Sequence, residues 1–111
     1  MVNFNFKYKH KKIDLDVNLC DTILSQTTGL MFRKKSRPLL FKFKSKRRRA
    51  IHSFFCVPFI AIWFSGVDLI EVRKISHWKI SIKPSKKFDK LLEIPENSQI
   101  YGKILDDERK V

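Results

Sequence analysis

The sequence predicts a mainly β protein: a compact β-sandwich or partly closed barrel with one short helix near its beginning. Three observations predict it. Apolar and polar residues alternate in several short runs, the signature of half-buried strands. One run, residues 54–64, is apolar throughout and built mainly of Phe, Ile, Val and Trp, types that favour strands. Glycine and proline are scarce, at three and four residues, so short turns rather than linkers join the runs. A chain of 111 residues is one domain around one core. The 43% share of hydrophobic residues excludes a disordered chain despite the charge. No internal repeat or shift of composition marks a second domain, so residues 1–111 are read as one.

The elements follow in order. In "NFNFKYKHKKIDLDVNL" the alternation occurs twice. Phe4, Phe6 and Tyr8 share one face, Ile13, Leu15, Val17 and Leu19 share another, and "KHKK" is the turn between two strands. Asp21 can accept hydrogen bonds from the first amides of a short helix over 22–28, and Gly29 suits the position just past its end. Such a helix is stable only when packed on the strands. Residues 38–44, "PLLFKFK", form a strand with Leu39, Phe41 and Phe43 pointing one way. "SKRRR" is an exposed turn, because adjacent cations need water. Strands are expected at 51–57, 59–64 and 67–74, with "SG" turning the chain between the last two. Residues 78–83 alternate Trp78, Ile80 and Ile82. Residues 88–94, "FDKLLEI", are a strand whose spacing would also fit a short helix. "PENS" is a turn, and "QIYGKIL" closes the chain before the charged tail "DDERKV".

The apolar run poses the question of a membrane span. A spanning helix needs about 20 mainly apolar residues, whereas this run has eleven. Extending it would bury His52 and Ser53 or Gly66 and Asp68, with Pro58 breaking the helix inside. The run therefore reads as strand covered on both faces, and no membrane span is expected. The amino-terminal stretch is charged and alternating, unlike a signal peptide, so a cytoplasmic location is expected. Cys20 and Cys56 have no zinc-like spacing and read as small buried hydrophobes in a reducing compartment; their spacing neither requires nor forbids a disulfide.

The formal net charge is +13, an excess that attracts polyanions. Most of it is lysine spread along the chain, which reads first as solvated surface. The concentrated part is Lys42, Lys44, Lys46, Arg47, Arg48 and Arg49, with Lys34, Lys35 and Arg37 shortly before. This loop could contact phosphates through Lys46, Arg47, Arg48 and Arg49. The alternation sends Phe41 and Phe43 inward, away from bases, so any such contact would be driven by charge and independent of sequence.

Catalytic signatures are lacking. Asp14 and Asp16 point outward from a strand, Asp68 and Glu71 fall on opposite faces of another, and Asp106, Asp107 and Glu108 lie in the tail. No Ser/His/Asp set, metal-ligand spacing or glycine-rich phosphate loop appears. Neither a cofactor nor a metal is expected.

Four phrases in order, "TTGLMFRK", "PLLFKF", "IHSFFCVPFIAIWFSGVDLIEV" and "LLEIPENS", resemble the domain-of-unknown-function family numbered 192, in its archaeal version. The resemblance covers roughly residues 13–107. It implies a small, mainly β fold with a short early helix, and no established activity. The family's motif arginine and histidine correspond to Arg33 and His52, which become candidate ligand-binding residues. The structural alternatives are an arginine tying a helix end to a loop and a histidine bonded to a core carbonyl, and both are favoured. The chain departs from the family at Ala61, where an aspartate is usual, at Cys56 in place of methionine, in Pro58, shifted by one residue, and in "PENS", which lacks the glycine. If the aspartate served a functional site, this chain has lost it.

The resulting expectation is a non-enzymatic module binding a small ligand or a protein. The alternative is a basic, nucleic-acid-associated protein gripping phosphates through the region 34–49.

Overall fold

The computed structural model describes residues 2–20, 37–49, 58–76 and 82–109. Six strands, β1 (Val2–Tyr8), β2 (Lys11–Cys20), β3 (Leu39–Arg47), β4 (Phe59–Ser65), β5 (Asp68–Ile75) and β6 (Phe88–Pro95), precede one helix, α1 (Gln99–Arg109). The strands form a single sheet in the order β1-β2-β3-β6-β4-β5. Every pairing is antiparallel except β2 with β3, which is parallel. The sheet curls into a half-barrel, bringing its first strand towards its last: Phe4 and Phe6 of β1 each meet the Phe64 ring edge-on at 5.4 Å.

The mainly β expectation holds. The β1–β2 turn is tighter than "KHKK" implied: Lys9 and His10 alone make it, at φ 47° and 68°. Two successive left-handed residues give a twist that matches the strands they join. Gly66, at φ 62°, supplies the left-handed residue of the β4–β5 turn. Its N–H donates to Asp89 Oδ1 at 3.0 Å, and its carbonyl accepts from Lys90 Nζ at 2.8 Å.

Side chains pack on both faces of this sheet. Inside the curl lie Phe6, Val17, Leu40, Ile62, Phe64 and Leu92, closed over by Ile104 of α1. On the outer face lie Leu39, Phe41, Phe59, Trp63, Phe88 and Leu91, joined by Ile82. Strand β4 serves both, and every residue from Phe59 to Phe64 is buried. Hence its sequence is continuous rather than alternating. No helix among the described residues is long and apolar enough to cross a membrane. Cys20 is a thiol, 5% exposed.

Two expectations need correction. Residues 99–109 are a helix that includes the acidic "tail"; Ile100 and Ile104, one turn apart, pack into the curl. Ser45, Lys46 and Arg47 extend β3, because Arg47 pairs with Phe88 after a break in register, although they remain exposed. Residues 88–94 form the strand expected of them. The short helix expected near the beginning, at 22–28, and the strand at 51–57 lie outside the described residues, as does most of 78–83.

Candidate functional site

Strand β4 places Ala61 and Trp63 on the outer face, and the register decides their neighbours. Ala61 lies between Arg73 of β5 and Glu93 of β6; Trp63 lies between Glu71 and Leu91. Glu93 is also level with Leu39 of β3. Its neighbours across both strands are thus apolar, and it is 6% exposed. Burial in these surroundings disfavours the charged form and pushes its pKa up to about 8. Glu93 is consequently protonated at neutral pH. Among the described residues no donor or cation meets it.

A second polar group on this face is likewise unmatched. Trp63 Nε1 is buried and has no hydrogen-bond partner among the described residues. Its ring packs edge-on to Phe88, centroids 6.5 Å apart, and lies under the Arg73 guanidinium at 5.4 Å. Arg73 in turn pairs with Glu71. Glu71 also accepts from the Ser85 backbone N–H at 2.9 Å and from the Ser85 hydroxyl at 3.0 Å. Burial alone would raise the Glu71 pKa, but these donors and the Arg73 charge bring it below the ordinary value. The outer face thus holds two carboxyls of opposite character: Glu71 charged and tied, Glu93 neutral and untied.

A basic tip forms where β3 ends. Arg48 Nε donates to the Pro84 carbonyl at 2.9 Å, and Arg49 lies over the Phe43 ring at 4.2 Å while donating to the Ser45 carbonyl at 3.1 Å. Burial, and then the Arg47 charge, lower the Arg49 pKa. The Arg48 bond brings the segment 83–87, with Lys83, Lys86 and Lys87 exposed, against the end of β3. The acidic residues of α1 lie elsewhere: Glu108 pairs with Lys9 at 2.9 Å and accepts from the Tyr8 hydroxyl, and Asp107 faces Lys11 at 3.9 Å. Burial and the Glu108 partner raise the Tyr8 pKa. Two open clefts accompany these features, one of about 590 Å³ between β2 and α1 and one of about 810 Å³ beside Phe6, Val67 and Leu69.

Of the residues singled out from sequence, Arg33 and His52 lie outside the described residues. Lys46, Arg47, Arg48 and Arg49 are together at the tip. Ala61, where the resemblance expects an aspartate, lies in the row between Glu93 and Arg73. Sequence reasoning missed Glu93 and the contribution of 83–87. The available signal for Glu93 was a single acid inside "LLEIP", in a segment too apolar for one face to be wet. No cluster of three or more potential metal ligands occurs among the described residues.

No family model matches the chain, and no curated protein does. Two solved structures share its fold. A protein of unknown function from Novosphingobium aromaticivorans DSM 12444 superposes with a TM-score of 0.72 at 17% identity, covering 86% of this chain and 74% of its own. A protein from Sinorhizobium meliloti 1021, described as a candidate transcription regulator, gives 0.68 at 18% identity, covering 82% and 76%. At such identities the likeness establishes the six-stranded curled architecture alone.

Proposed function

We propose that the chain is a small-ligand-binding β module, binding rather than catalysing, and that its recognition group is the uncharged carboxyl of Glu93. The supporting observation is two buried groups on one face: the Glu93 carboxyl, 6% exposed and held towards its neutral form by burial, and the Trp63 indole N–H, which has no hydrogen-bond partner among the described residues. Each such group costs about 1–3 kcal/mol when left unmatched. An apolar residue at position 93 would avoid that cost, so a glutamate there is assigned a role other than stability. A protonated carboxyl offers one O–H donor beside an acceptor oxygen, and the indole adds a donor. The complementary ligand is a small molecule with an amide or carboxylic acid head. Arg73 is already engaged by Glu71 and frames the site rather than binding.

Glu93→Leu tests this reading. The variant is expected to be more stable than the parent by about 1–3 kcal/mol in urea unfolding, while losing any small molecule that native mass spectrometry detects on the parent. A loss of stability of similar size would show that Glu93 supports the fold, and the reading would fail.

A further inference from the structure

We infer that the end of β3 and the segment before β6 form one docking surface for the phosphate backbone of a nucleic acid, separate from the Glu93 site. The two segments are about 40 residues apart in the chain, yet the fold makes them neighbours: Arg47 pairs with Phe88 in the sheet, and Arg48 bonds to Pro84. Lys46, Arg47 and Arg48 come from one side, and Lys83, Lys86 and Lys87 from the other; all six are exposed.

The nearby carboxylates are already engaged, Glu71 within this surface at Ser85. Glu71 holds Arg73 and Ser85, and Asp89 holds the Gly66 amide. The ion pairs Lys9–Glu108 and Lys11–Asp107 sit at the β1–β2 turn. That turn is at the far end of the sheet: Cys20 is level with Phe41, and Arg47, which pairs with Phe88 after the break in register, stands three sheet positions further on, roughly 10 Å past the end of β2 at strand spacing. Positive charge is therefore concentrated at one end and not neutralised there by described carboxylates.

The surrounding chemistry favours phosphates over bases and over lipid. Phe41 and Phe88 are buried and the Phe43 ring is covered by Arg49, so the described residues offer no aromatic platform at the tip for stacking bases. Among the described residues the exposed large hydrophobics are Val2 and Val67, too little apolar surface to anchor the tip in a bilayer. A grid of cations without an apolar wedge fits a regular row of phosphates, with affinity from counterion release and no sequence preference.

The test measures binding of the whole chain to a mixed-sequence DNA duplex across salt, with phosphatidylserine vesicles and polyglutamate as competing polyanions. Six contacts predict a log–log salt slope near −5, equivalent to roughly a 1,000-fold loss of affinity between 50 and 200 mM salt. The triple variants Lys46→Ala/Arg47→Ala/Arg48→Ala and Lys83→Ala/Lys86→Ala/Lys87→Ala should each flatten the slope by about 2 to 3. These side chains are exposed, so an unchanged thermal midpoint checks that both variants fold. The inference is overturned by absence of duplex binding at 50 mM salt, by equal or tighter binding to vesicles or polyglutamate, or by an unaltered slope in the second triple variant. The Glu93→Leu protein should bind duplex as the parent does; failure at either site is thereby distinguishable from failure at the other.

Discussion

A carboxyl whose pKa is about 8 in the fold and 4.5 in the ordinary state holds its proton more tightly folded than unfolded. Between these values the native chain carries a proton that the unfolded chain has released, so raising the pH favours unfolding. The pH-dependent penalty of burying Glu93 is absent below pH 4.5, grows by about 1.4 kcal/mol per pH unit as pH rises, and is complete above pH 8. Glu71 and Glu108, whose values are lowered, act with the opposite sign: their stabilisation is present above the unfolded pKa and lost as pH falls. Urea midpoints measured from pH 5 to 8 should fall in the parent and stay nearly level in Glu93→Gln, and an identical slope in both proteins would contradict a buried, protonated Glu93. The position of Glu93 on a strand was legible from "FDKLLEI". Its burial was not, because a glutamate in a strand normally marks the wet face, and only the full sheet shows that β6 has none.

At the level of elements, β4 gives the plainest correspondence between sequence and structure. Its apolar sequence had one good solution in water, a strand covered on both sides, and residues 59–64 adopt it. Helix α1 was hidden by its own composition. Gly102 lowers helix propensity, and the acids at its end resemble a solvated tail. What stabilises the helix is tertiary: Ile100 and Ile104 in the curl, and Glu108 and Asp107 on the residues flanking the first turn. The β4 row also supplies a test of the site. Ala61→Asp restores the residue that the resemblance expects, but places a second acid beside Glu93 at a position with no exposure. The expected result is a loss of about 3 kcal/mol or more in unfolding free energy. A neutral outcome would mean that the row has polar company beyond Arg73 and Glu93.

Across the whole molecule, the strands were legible but their order was not. Periodicity identifies which residues face a core, yet says nothing of which strand lies beside which. Placing β6 between β3 and β4 is what brings Glu93 next to Ala61, and what brings 83–87 to Arg47. The basic surface is accordingly a property of topology: sequence located half of it, in "SKRRR", and the other half lies about 40 residues away.

The side-by-side join of β2 and β3 has a consequence for how the molecule comes apart. Among the described residues Asn18, Leu19 and Cys20 cross it, against seven pairs within the β1–β2 hairpin. The leading hairpin is therefore sewn to the remainder by a short seam, reinforced from α1. Hydrogen–deuterium exchange should find that seam opening first, with amides of β2 near Asn18 labelled well before those of β4 and β6; uniform protection across all six strands would show that the sheet parts as one.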